Sequence, residues 1–208
     1  MESGINRAVK VAAIAAAVLF TSAVYAFGVA LEGFVQAQHP VALLGARGFP
    51  HALPFNLIAF VLPGMLAGVV AIALRERLPR DAGWPVRIGA QLVFLSALAF
   101  IAMGLLPLDP NDLESNSSRM HGTAWMLWSV AFIPGAVLLG ATLLSLPRWS
   151  RFAWASLIAA AGLLIAGFVL TDFMPAGTAQ RIAFGLWFAW LALAGWPSGR
   201  EPAGSSRL

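Results

Sequence analysis

Between Gly104 and His121 the chain crowds together Asp109, Asp112, Glu114, Ser115, Asn116, Ser117, Ser118, Arg119 and His121, flanked by long apolar runs. Carboxylates and an imidazole could hold a Zn²⁺ that activates water against lipid amide or ester bonds. The metal set would be His51, His121 and Asp109, with Glu32 or Asp172 as further carboxylates. No His-Glu-x-x-His spacing is present, so such ligands must come from different parts of the chain. A serine nucleophile beside His121 lacks the Gly-x-Ser-x-Gly elbow. The absence of cysteine rules out thiolate metal sites, disulfides and cysteine nucleophiles. Against all this chemistry stands capping. Asp, Ser and Asn oxygens accept from free N–H groups at turns and helix starts.

The elements that must position these residues are membrane helices. Of 208 residues, 60% are hydrophobic and 11% charged, against about 25% charged in an ordinary soluble domain. Apolar runs approach the roughly 20 residues that cross a hydrocarbon core of about 30 Å. An all-α polytopic fold is predicted, as one domain over 1–197 with six transmembrane helices in three hairpins. The helices are expected at about 11–31, 55–74, 88–106, 122–146, 152–171 and 182–196, and residues 198–208 as a disordered tail. Val24-Tyr25-Ala26 also fits a signal-peptide cleavage site, but the apolar run continues to Leu31, which favours an uncleaved helix. Pro63-Gly64 and Pro134-Gly135 fall midway along two helices and predict kinks there.

Orientation follows from the basic residues. Arg7, Lys10, Arg75, Arg77, Arg80, Arg87, Arg148, Arg151, Arg200 and Arg207 fall on one side, and Arg47, Arg119 and Arg181 on the other. The richer side is expected to be cytoplasmic, with both termini there. The net charge of +4 is spread over short loops, not gathered on a face, which excludes nucleic acid as a partner. Membrane lipids are the expected surroundings, and self-association is compatible with the pattern. Trp84, Trp125, Trp128, Trp149, Trp154, Trp187, Trp190 and Trp196 fall mostly near helix ends, as an interfacial belt would.

An internal repeat is suggested. Arg119-Met-His-Gly-Thr-Ala-Trp125-Met-Leu-Trp128 aligns with Arg181-Ile-Ala-Phe-Gly-Leu-Trp187-Phe-Ala-Trp190, and Gly104 to Asp109 with Gly167 to Asp172. All three histidines and five of the nine acids then share the non-cytoplasmic side. The expected site is a pocket lined by Asn56, Asp109, His121 and Asp172, with His39, His51, Glu32 and Arg119 at its mouth. Ionisable groups at membrane depth cost about 2.5 to 3.5 kcal/mol and tend to face a cavity or partner.

Several short motifs resemble a bacterial multi-pass membrane family catalogued as domain of unknown function 998. They are His39-Pro40-Val-Ala-Leu-Leu-Gly45, Pro50-His51-Ala-Leu-Pro-Phe55-Asn56, Leu106-Pro-Leu-Asp109, His121, and Gly177 with Gln180-Arg181. The resemblance covers about residues 10–196 and implies six helices in a bacterial inner membrane, with no established reaction. The function expected first is binding of a small ligand or lipid. A zinc-dependent membrane hydrolase or lipid-modifying enzyme comes second, and a structural or accessory subunit third.

Overall fold

The computed structural model describes residues 2–79, 81 and 83–196. The tail expected over 198–208 and Arg80, Arg200 and Arg207, expected on the cytoplasmic side, lie outside them. Among the described residues there are helices and turns and no strand. The six long helices are α1 (Glu2–Ala30), α2 (Ala52–Arg77), α3 (Gly83–Leu105), α4 (Asn116–Leu143), α5 (Ser150–Phe168) and α6 (Ala176–Gly195). Short 3-10 turns occupy Val41–Gly45, Pro147–Trp149 and Leu170–Asp172.

Five of these helices, α1 to α5, are long and apolar enough to cross a membrane. The chain is a multi-pass membrane protein. The sixth helix is not in that set, and its first turns carry Thr178, Gln180 and Arg181. Large side chains such as Val11, Val18, Met65, Val69, Ile158 and Leu164 point outward, while Ala13, Ala16, Ala67, Ala136 and Ala153 are buried. That distribution suits hydrocarbon, which solvates Val and Leu as well as a protein core does and leaves close packing to small residues.

Each helix packs on the next in chain order, and α6 returns to pack on α1 and α2. The tightest crossing joins α3 to α4. A Cβ on Gly89 would lie 2.9 Å from the Gly135 carbonyl, so only glycine lets the two backbones approach so closely. At the centre, Phe100 stacks on Trp187 with ring centroids 4.6 Å apart and also meets Phe20, Phe60, Trp128, Phe184 and Phe188. One ring from α3 thus joins α1, α2, α4 and α6. Trp128, Trp187 and Trp190 are buried in this core, which corrects the interfacial belt expected for them, whereas Trp84, Trp154 and Trp196 are exposed.

Several helix limits differ from those expected. α1 begins at Glu2, and not near residue 11, because Arg7 and Lys10 are good helix formers. α4 begins at Asn116, six residues before Gly122, because Ser115 caps it by accepting from the Ser118 N–H. α2 begins at Ala52, after His51 in the left-handed region (φ 59°), and tolerates Pro54 in its first turn. A wide π turn over Leu57–Val61 precedes Pro63, with Leu62 N–H donating to Leu57 O. This local widening accompanies the proline that the sequence marks as a break.

Candidate functional site

The three connections α1–α2, α3–α4 and α5–α6 share one end of the bundle, here termed the histidine end. The acid and histidine side chains expected to form one pocket are held there in separate local contacts. Asn56 is buried, and its Nδ2 donates to the Gly45 carbonyl at 2.8 Å. His121 is buried, and its Nδ1–H reaches the Leu106 carbonyl at 2.9 Å and the Met103 carbonyl at 3.2 Å, closing the C-terminus of α3. Helix C-termini leave such carbonyls without partners, so His121 acts as a cap. Asp109 Oδ1 accepts from Asn111 N–H at 3.1 Å, while its backbone meets Ser118 Oγ.

The remaining candidates lie at the surface. Asp172, Glu32, His51 and Arg119 are exposed. His39 is half-buried, its Nδ1 accepting from Val35 N–H at 2.9 Å and its ring packed on Phe34. Among the described residues no three His, Asp or Glu side chains form a group able to hold a metal. His51, His121 and Asp109 therefore do not converge on a common point. The suggested pairing of Arg119 with Arg181 also breaks down in environment, since Arg119 is exposed and Arg181 is not.

A different assembly stands out where the α1–α2 loop straps over the start of α6. Thr178 Oγ1 donates to the Ala37 carbonyl at 2.9 Å, and Gln180 Oε1 accepts from Val41 N–H at 3.1 Å. A Cβ on Gly177 would sit 2.5 Å from the His39 carbonyl oxygen, so the strap rests directly on the helix backbone. Arg181 completes the junction. Its Nη1 donates to the carbonyls of Gly177 (2.8 Å) and His39 (3.0 Å), and its Nη2 to Gln36 Oε1 at 2.6 Å. Gln36 is held in turn, because its Nε2 donates to the Val24 carbonyl at 2.9 Å. The guanidinium lies 5.8 Å from the Phe34 ring centroid. Its Nε is buried without a hydrogen-bond partner.

Beneath this junction a cleft of about 530 Å³ opens between α1 and α6. Its walls are Ala17, Phe20, Thr21, Val24 and Tyr25 from α1 and Gly185, Phe188, Ala189 and Ala192 from α6, with Gln36 and Arg181 at the polar end. The space exists because α6 presents small residues there. A Cβ on Gly185 would meet nothing within 4 Å. The volume lies within the range of about 300 to 1,000 Å³ typical of ligand sites, which combine apolar walls with a few placed polar groups.

The family model for a protein of unknown function (DUF998) matches residues 14–197. The chain belongs to the DUF998 family. No curated protein and no solved structure matches it. In this DUF998 chain the short motifs that carry the resemblance touch one another. His39 and Val41 meet Gly177, Gln180 and Arg181, Gly45 meets Asn56, and Leu106 meets His121. The motifs therefore build the histidine end and the roof of the cleft.

Gln36, Gly185 and the α1 wall are not among the site residues expected from sequence, and Arg181 figures there only in the charge count, the repeat and the motif Gln180-Arg181. A signal for them was present. Arg181, Gly185, Ala189 and Ala192 recur at spacings of four and three, on one helical face, as do Ala17, Thr21 and Tyr25. Such stripes usually pack against a neighbouring helix, and here the neighbour stands off.

Proposed function

We propose that this DUF998 protein is a six-span protein of the bacterial inner membrane that binds an amphipathic, lipid-like ligand in the cleft between α1 and α6. The observation that carries this reading is the cleft itself, apolar along its length and ending in Arg181 and Gln36. Counting α6 as the sixth span is supported by its central packing, where Phe184, Trp187, Phe188, Trp190 and Leu191 are buried against the other helices. The ten-to-three division of Lys and Arg supports a cytoplasmic position for both termini. The polar end of the cleft then faces the non-cytoplasmic side.

Dimensions suit a lipid chain. Ala17 to Tyr25 spans about 12 Å of α1, and Arg181 to Ala192 about 16 Å of α6, at about 1.5 Å per residue. Either length is close to half of a hydrocarbon core of about 30 Å, the depth of one leaflet. Native mass spectrometry of the detergent-purified protein tests the reading, wild type beside Gly185→Trp. The expected result is a bound lipid-like mass on the wild type that is missing from the variant, with both proteins equally folded by circular dichroism. Identical adducts on both, or none on either, would remove the cleft as the binding site.

A further inference from the structure

Resting on that reading, we infer that the cleft takes a single-chain anion with a small headgroup, of the class of long-chain carboxylates, and that Arg181 binds the carboxylate. Among the described residues no carboxylate pairs with Arg181, and the oxygens that it meets are neutral: those of His39, Gly177 and Gln36. A guanidinium keeps its charge at any accessible pH. Neutral dipoles solvate that charge without cancelling it, in a wall built from Phe20, Val24 and Phe188. Nε–H remains a buried donor with no acceptor, although buried donors in proteins nearly always have one. An anion arriving from the cleft supplies both the missing charge and the missing acceptor.

Geometry narrows the class. The strap engages three of the five guanidinium N–H bonds, two on Nη1 and one on Nη2, which leaves Nε–H and one Nη2–H for the ligand. The strap rests on α6 at Gly177, and Gln36 bridges Arg181 to the Val24 carbonyl, so the polar end is roofed. A bulky glycerophosphate headgroup has no exit there. The cleft also lies between one pair of helices and runs about one leaflet deep, room suited to one alkyl chain.

The test is equilibrium binding of radiolabelled oleate to the detergent-purified protein. Oleyl alcohol serves as the neutral match, oleoyl lysophosphatidic acid as the phosphate, and Arg181→Gln and Gly185→Trp as variants. A charge-assisted hydrogen bond predicts that the wild type binds oleate at least about tenfold more tightly than oleyl alcohol. Arg181→Gln is expected to erase that preference while still binding the alcohol, and Gly185→Trp to bind neither. Retained binding of the alcohol also shows that the Arg181 variant is folded. Equal affinity for oleate and alcohol, both lost in Gly185→Trp, would overturn the anion inference and leave the lipid cleft standing. Tighter, Arg181-dependent binding of the lysophosphatidic acid than of oleate would overturn the carboxylate class. Binding unaffected by Gly185→Trp would overturn the cleft reading itself.

Discussion

Arg181 on α6 donates to Gln36 Oε1 at 2.6 Å, and Gln36 in turn donates to Val24 on α1 at 2.9 Å. Two side chains thus bridge the helices that close the bundle, at the mouth of its apolar cleft. α1 and α6 are the first and last of the described helices, so this bridge ties them together beside the strap of residues 36–41.

Arg181→Gln is expected to loosen the strap as well as the site. It removes charge-assisted bonds to the His39 carbonyl and Gln36, each worth about 1.5 to 3 kcal/mol when fully formed and less at a half-buried position. Thermal unfolding in detergent should show a lower midpoint, and limited proteolysis should cut first between residues 31 and 51. An unchanged proteolysis pattern would argue that the strap is held without Arg181.

Gly28 leaves room for Gln36, since a Cβ there would lie 2.1 Å from Gln36 Nε2. Gly28→Ala should therefore push Gln36 off Val24 and lower stability. In a Gln36→Ala background the same change should be nearly neutral. A double-mutant cycle measures this coupling, and additive effects would contradict the contact.

His121→Ala leaves the Met103 and Leu106 carbonyls at the end of α3 without their shared donor. The expected cost is about 1 to 3 kcal/mol, read by reversible unfolding in mild detergent. Metal content of the wild type by elemental mass spectrometry provides a separate check. Stoichiometric zinc lost with His121 would reinstate a metal role that capping does not explain.

Phe100 is fully buried and touches rings from four other helices. Phe100→Ala should destabilise the bundle by about 3 to 5 kcal/mol, the range for a large aromatic removed from a packed interior. Phe100→Leu should cost less, because part of the volume is retained. Equal stability of both variants with wild type would show that the aromatic centre is not what joins the helices.

The chain has no cysteine, so single cysteines report orientation directly. Glu114→Cys lies in the α3–α4 turn, and Ser145→Cys at the opposite end of α4, both at exposed positions. A membrane-impermeant maleimide added to intact cells is expected to label the first and not the second. The reverse pattern would invert the topology.

Sequence alone determined the membrane class, the family and the approximate helices. These follow from run length, hydropathy and short motifs, which are local properties of the chain. His121 and Asn56 were also legible as important polar residues, but their tasks were not. A histidine near a helix start reads equally as ligand or cap until the carbonyls of Met103 and Leu106 are seen beside it. Trp128 and Trp187 were expected near helix ends, but they sit midway along Asn116–Leu143 and Ala176–Gly195, and the return of α6 into the bundle buries them.

The cleft was decided by tertiary structure for a similar reason. Small residues at four-residue spacing on α1 and α6 ordinarily mean close packing. Whether two such stripes meet or stand apart depends on what wedges the helices. Here Gln36 and Arg181, brought together across 145 positions of sequence, hold the top of the gap. A hydrogen bond between residues so distant leaves no periodicity to read, so the site exists only once the ring of helices has closed.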